Sequence, residues 1–239
     1  MIPIGDTRSR FGSSWATHTL LALLFIGLIL EHTIDPATWR ALAEAYTLHL
    51  DRLASEPSHR LLLLSITHLF FQGGAGTWLA PVVNLLYFWA LGRKVEDICG
   101  SGRFLGLYAL LGLSGAAAVR LLERWISTGG ERLVYGQAAI VAGLMGAYLA
   151  LYQGQRLRAW VPPLFLPQVP LGLHFLYWAG LQFINLHPEA LRPLRPARLI
   201  SLEPNWPTLC AFFIGLVGGY LFARQEYLYY RSLRARVSR

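Results

Sequence analysis

The groups in this chain that could do chemistry are few and scattered. Ser65, Ser114 and Thr208 are hydroxyls in or beside apolar runs, Cys99 and Cys210 are the two thiols, and His68 is followed four residues later by Gln72. Nucleophilic catalysis by a hydroxyl needs a base within hydrogen-bond reach, and Thr208 has no evident one. The cysteines have neither disulfide spacing nor a histidine cluster beside them, so they read as small apolar fillers, and no metal or cofactor is indicated. No intramembrane acid–base pair lines a path, which argues against small-molecule transport. Asn84, inside "WLAPVVNLLYFWAL", must find a donor or acceptor there and would hold its segment to the loop above.

These polar groups stand in a chain that is 54% hydrophobic and only 14% charged, with a mean hydropathy of +0.41. That composition describes an integral membrane protein in contact with the lipid bilayer. The net charge of +8 invites a nucleic-acid reading. However, the basic residues fall in short blocks between apolar segments and in the tail "ARQEYLYYRSLRARVSR", where topology signals and lipid-headgroup contacts belong. Nucleic acid is therefore not an expected partner.

The elements that must position the polar groups are six apolar segments: Trp15 to Leu30, Trp78 to Leu91, Phe104 to Val119, Gln137 to Leu151, Val169 to Ile184 and Thr208 to Ala223. Several fall short of the ~20 residues of a lipid-facing span. Helices inside a bundle can be shorter and richer in glycine, because their neighbours satisfy them. The predicted fold is all-α, a six-helix membrane bundle over residues 15–223. It lies between a cytoplasmic N-terminal segment, 1–14, and a basic cytoplasmic tail, 224–239.

No small-residue cleavage site follows the first segment, so it reads as a retained helix. With both termini inside, twelve of the 21 basic residues fall in inner loops and tails. The outer loop, about 31–76, carries "DPATWRALAEAYTLHLDRL". Asp35 there is a candidate N-cap with Pro36 at the first helical position. Leu42, Ala45, Tyr46 and Leu50 follow at helical spacing, which predicts an amphipathic helix covering the bundle. "SEPSHRLLLLSITHLFFQGG" should be half-buried. The prolines of "WVPPLFLPQVPLG" should block a helix until Leu171. Glu96, in "GRKVEDICGSGRF", is expected to fix a turn by satisfying local backbone or Arg93 and Arg103.

Four blocks in order, "THLFFQGG", "WLAPVVNLLYFWALGRKVEDICGSGRFLGLYALLGLSGAAA", "GQAAIVAGLMGAYLALY" and "AFFIGLVGGYLF", resemble the rhomboid intramembrane serine proteases over Thr67 to Phe222. The start, "MIPIGDTRSRF", also resembles the usual bacterial rhomboid N-terminus. The resemblance implies a catalytic serine in a GxSG block opening the fourth span. It also implies a histidine in the sixth span, three residues before a GxxxG, which takes the hydroxyl proton. Here Gly136, Leu144, Met145 and Gly146 fit the first block, which puts Ala138 at the serine. Gly215 and Gly219 supply the GxxxG, which puts Phe212 at the histidine.

The family's second-span asparagine matches Asn84, but the histidine four residues earlier falls at Ala80. A preceding outer-loop histidine falls at Gln72, and Ala75 to Thr77 are three extra residues. Only His68, structural in the family, and Asn84 remain of the polar set. Loss of nucleophile and base together, where loss of one has cost ~10⁶ in turnover elsewhere, predicts a protein that is not an enzyme. Ser, His and His would have relaxed to Ala138, Phe212 and Ala80 without orphaning a partner.

The remaining glycines, Gly136, Gly143 and Gly146 on the fourth span and Gly215 and Gly219 on the sixth, are predicted to let two helices approach closely. What outlives the chemistry is a docking surface. The resemblance places a lateral gate at the fifth span, where "HFLYWAGLQFINL" offers Phe175, Tyr177, Trp178 and Phe183 as partner-facing candidates. Two functions follow. One is a regulatory binder of the transmembrane helices of other membrane proteins, acting on their folding, assembly or turnover. The other is a stoichiometric accessory subunit of a larger membrane complex. The resemblance and the Arg-over-Lys, Ala/Leu-rich style point to a bacterial inner membrane; the oligomeric state is left open.

Overall fold

A computed structural model describes residues 2–5, 14–49, 57–72, 78–122, 133–134, 136–152, 156–161, 164–173, 175 and 208–222. Seven helices carry the described chain. They are α1 (Trp15–Thr33), α2 (Pro36–Tyr46), α3 (Ser58–Thr67), α4 (Leu79–Cys99), α5 (Ser101–Leu122), α6 (Gln137–Leu151) and α7 (Thr208–Phe222). Among them α1 is both long and apolar enough to cross a membrane alone, whereas α6 and α7 are apolar but shorter. A helix that is apolar all round has to be enclosed. Accordingly α6 buries twelve of its fifteen residues, packing against α4 and α5.

Five helices match the expected segments closely, with α4 and α5 running past the expected ends, to Cys99 and Leu122. The fifth segment is described only to residue 175. It is helical at 171–173, after the prolines as their chemistry requires.

The all-helical expectation needs amending outside the helices. The expected cytoplasmic N-terminal segment contains β1 (Ile2–Gly5), and the proline-rich connection after α6 contains β4 (Arg156–Val161) and β5 (Leu164–Pro170). These form an antiparallel sheet in the order β1-β4-β5, with Ile2 opposite Trp160 and Arg156 opposite Pro170. Pro167 and Pro170 lie in β5, an edge strand of this sheet, which is where the missing N–H is tolerated. A second pairing, β2 (Leu48–His49) with β3 (Leu133–Val134), ties the outer connection to the chain entering α6.

The connection between α1 and α4 folds from local signals. Asp35 accepts hydrogen bonds from the N–H groups of Ala37 and Thr38 at 3.1 and 2.9 Å, capping α2 as its sequence predicts. Bonding to Thr38 and Ala37 holds the Asp35 carboxyl below the usual carboxylate range. The face that α2 buries differs from the expected one. Ala43 is its buried residue, Ala45 and Tyr46 are exposed and Leu42 is half-buried, while Leu50 lies outside the described residues. The helix stops at Tyr46 so that Thr47 and Leu48 can turn inward into β2. On α3, Leu64 is buried while Leu62, Leu63 and Ile66 are exposed, the half-buried character expected of that stretch.

One carboxylate joins three of the long helices. Glu96, 1% exposed near the end of α4, accepts hydrogen bonds from the N–H groups of Ala16 and Thr17 at 3.0 and 2.7 Å. It also accepts from the hydroxyls of Thr17 and Ser101, both at 2.6 Å. The N-cap residue of α1, Ser14, offers no side-chain cap of its own, so Glu96 caps α1 from another helix. It does more than fix a turn, and its partners are N–H and hydroxyl groups, not the arginines. Arg93 lies over the Trp89 ring instead, 4.2 Å from its centroid. The turn itself is made by Gly100, at φ 79°, which lets α5 begin one residue after α4 ends.

Replacing Glu96 by alanine leaves two buried N–H groups and two hydroxyls without an acceptor, and is expected to destabilise the folded chain by about 2–4 kcal/mol. Glu96→Gln, which keeps one acceptor oxygen, should cost less. Unfolding in detergent micelles measures both; an Ala variant as stable as the parent would refute the capping role.

Candidate functional site

The region around the first turn of α6 is assembled by three separate stretches of chain. After α3, residues His68–Phe70 form one 3-10 turn that lies against α5 and α6. The Tyr108 hydroxyl of α5 donates to the Leu69 carbonyl at 3.0 Å, and Gly136 N–H donates to the His68 carbonyl at 3.1 Å. A methyl group on Gly136 would sit 3.1 Å from Leu69 Cα and 3.3 Å from His68 Cδ2. That glycine is therefore where α6 meets the outer turn.

His68 is fully buried. Its Nδ1 lies 3.1 Å from the Leu64 carbonyl, and because a carbonyl can only accept, Nδ1 carries the proton. Burial pushes the His68 pKa below its ordinary value, against smaller raising effects of the Leu64, Gly112 and Ser65 backbone. Burial thus favours the neutral ring, and Nε2 makes no hydrogen bond among the described residues.

Gln72 is buried and donates from Nε2 to the Leu24 carbonyl of α1 at 2.7 Å. It ties the outer turn to α1, while its Oε1 has no partner among the described residues. Asn84 is half-buried on α4, and the side chain of Ala80 lies outside the described residues.

α6 and α7 touch backbone to backbone. A methyl on Gly215 would fall on the Gly143 carbonyl and 2.9 Å from Gly143 Cα, and one on Gly219 would lie 2.6 Å from the Ala147 carbonyl oxygen. A methyl on Gly146 would fall on the Phe212 carbonyl and 2.8 Å from Leu216 N. The pairs Gly143–Gly215 and Ala147–Gly219 share one offset, so the helices run parallel. The Phe212 backbone lies against Gly146, more than two turns along α6 from Ala138. Gly143 also faces Leu111 of α5, whose Cγ would lie 2.8 Å from an added methyl.

Ala138 is half-buried in the first turn of α6. The half-buried Phe212 ring packs on Phe175, with centroids 5.9 Å apart. Phe175 itself is 4% exposed, so its ring belongs to the core and not to a partner-facing surface, a correction to its expected role. Tyr177, Trp178 and Phe183 lie outside the described residues. Three hydroxyls are offered by the sequence. Ser114 donates to the Leu111 carbonyl at 2.7 Å, Thr208 is buried at the start of α7, and Ser65 is half-buried on α3. Among the described residues no group of three or more His, Cys, Asp or Glu could hold a metal ion.

Sequence reasoning passed over Gln137. It is the first residue of α6 and completely buried, and neither Nε2 nor Oε1 has a hydrogen-bond partner among the described residues. The available signal was the amide itself, placed at the head of a segment otherwise apolar all round.

A comparison with protein families matches the Rhomboid domain over residues 61–225, more than half of the chain. None of the curated proteins compared with the chain matches it.

Two measurements test this geometry. Gly215→Ala, which drives a methyl into the Gly143 backbone, should destabilise by about 1–3 kcal/mol. Gly106→Ala on α5, where an added methyl meets nothing within 4 Å, should cost nothing. Equal stability of the two variants would contradict the close α6–α7 contact. Separately, His68 resists protonation only when folded, so the unfolded chain binds its proton first. Stability should fall as the pH drops below about 6.5, the ordinary histidine value. In His68→Gln that slope should flatten, and an unchanged slope would show that His68 does not titrate in this way.

Proposed function

Because the chain belongs to the rhomboid family, we propose that it is a catalytically inactive member that binds transmembrane helices of other membrane proteins and regulates their folding, assembly or turnover. What carries this reading is the pair Ala138 and Phe212, which the sequence resemblance sets at the serine and histidine positions. Alanine has no nucleophilic atom, and phenylalanine cannot take a proton. The setting supports the reading. The Phe212 ring packs on Phe175, and its carbonyl lies against Gly146, so a histidine replacement has been absorbed into the packing between α6 and α7.

The membrane placement proposed is a bacterial inner membrane, with six spans and both termini in the cytoplasm. The parallel course of α6 and α7 supports an even pairing of spans, since the chain must return across the bundle between them. The apolar flank of α1, with Phe25, Ile26 and Leu30 exposed, and that of α7, with Phe213, Val217 and Tyr220 exposed, suit lipid or a partner helix.

Extraction from native membranes in a mild detergent, followed by sizing and quantitative mass spectrometry, tests the binding role. A heterogeneous, substoichiometric set of membrane proteins is the expected result. One partner at a constant ratio would replace this reading with that of an accessory subunit. For the inactive site, a fluorophosphonate probe should leave the purified protein unlabelled; a specific adduct would overturn the assignment.

A further inference from the structure

Three helix termini mark one end of the bundle. There Glu96 of α4 receives the first N–H groups of α1, the Tyr152 hydroxyl after α6 donates to the Lys94 carbonyl at 3.1 Å, and α5 starts at Ser101. Trp15, the exposed first residue of α1, belongs to the same end. Tryptophan at a helix end sits where hydrocarbon gives way to headgroups. Arg93 lies on α4 only about 4–5 Å along the axis from Glu96, and so at that boundary.

The Arg93 guanidinium is held but not neutralised. It lies over the Trp89 ring, 4.2 Å from the centroid, an attraction that orients the group without cancelling its charge. Nε is buried and has no hydrogen-bond partner among the described residues, although Arg93 as a whole is only half-buried. The acids that follow on α4 are turned inward. Glu96 and Asp97 are both buried, and Glu96 is taken up by α1 and Ser101. A cation fixed in this way at a membrane boundary calls for an anion from outside the chain.

Toward the bilayer middle the same face of α4 is apolar. Leu86 and Val82 line up with Trp89 and Arg93 at helical spacing, about 10 and 16 Å from Arg93 along the axis, and both are exposed. Cation, indole and aliphatic side chains thus succeed one another along one stripe, in the order of the phosphate, glycerol region and acyl chain of a phospholipid. We propose that Val82, Leu86, Trp89 and Arg93 form a binding site for one anionic phospholipid, with its phosphate on the Arg93 guanidinium and an acyl chain along Leu86 and Val82. A net negative headgroup is preferred, because a zwitterionic one brings its own ammonium to the same place. A soluble phosphate would gain nothing from the apolar half of the stripe, and an apolar partner helix would leave Arg93 without an anion. Neither the residues at 138 and 212 nor the binding of partner helices enters into the site.

The test uses the full chain in detergent micelles with phosphatidylglycerol and phosphatidylcholine of identical acyl chains, added in equal amounts, and native mass spectrometry to count the lipid retained. The parent should retain one phosphatidylglycerol about fivefold more readily than phosphatidylcholine, the scale set by one basic residue at a membrane surface. Arg93→Gln should abolish that preference. Arg93→Lys, which keeps the charge without the planar group that lies on the indole, should weaken it, and full retention there would overturn the role of the stacked guanidinium. Arg103→Gln, which removes an exposed arginine near the start of α5, should leave the preference unchanged. No preference in the parent, or one undiminished in Arg93→Gln, overturns the site; equal losses in Arg93→Gln and Arg103→Gln reduce it to diffuse surface charge and overturn it too. Displacement of the lipid by glycerophosphate at equal concentration would show a soluble-phosphate site and refute the lipid assignment. An Arg93→Gln variant that no longer folds would show the guanidinium already satisfied within the protein, with the same consequence.

Discussion

The rest of the bundle depends on one buried carboxylate. An interior that excludes water cannot leave an N–H or a charge alone, yet α1 begins inside the packed body with no cap of its own. Glu96 resolves both demands at once. It supplies the acceptors that α1 lacks, and α1 together with Ser101 supplies the donors that a buried carboxylate needs. Because the bonds are short and directional, they fix the axial register of α1 against α4. That register turns Leu20, Leu24 and Leu28 toward the core while Phe25, Ile26 and Leu30 stay outside. The close approach of Thr17 to Gly92, where an added methyl would lie 3.1 Å from Thr17 Cγ2, belongs to the same contact.

Between α6 and α7, position is set by backbone contact. Glycines on α6 and α7 remove the side chains that would hold the helices apart, leaving carbonyls against Cα atoms. Such a contact gains from close van der Waals packing and not from polarity.

Much of this architecture was legible from periodicity and small residues. Helix existence followed from apolar runs, the α2 cap from Asp35 before Pro36, and the α6–α7 seam from glycine spacing. Strand pairing was less accessible, because β1, β4 and β5 come from segments far apart in sequence and prolines read more naturally as helix stops than as edge-strand residues. Glu96 was misread for a related reason. Sequence suggests near partners, Arg93 and Arg103, whereas the partners at Ala16 and Thr17 lie nearly eighty residues away. Of the candidate site, Ala138 and Phe212 could be placed only through family resemblance. The orphaned state of Gln137 became visible once its surroundings were known.

Gln137 also separates two ways in which a polar site can decay. A position freed from catalysis and required only to pack should drift toward apolar residues, since each unpaired buried group costs on the order of 1–3 kcal/mol. On the reading proposed above, Ala138, Ala80 and Phe212 follow that course. Gln137 does not. It keeps an amide at full burial, with neither amide atom hydrogen-bonded among the described residues. Local geometry does not require this, because the side chain of a first-turn residue is not what caps its own helix, and a methionine would fill the same space.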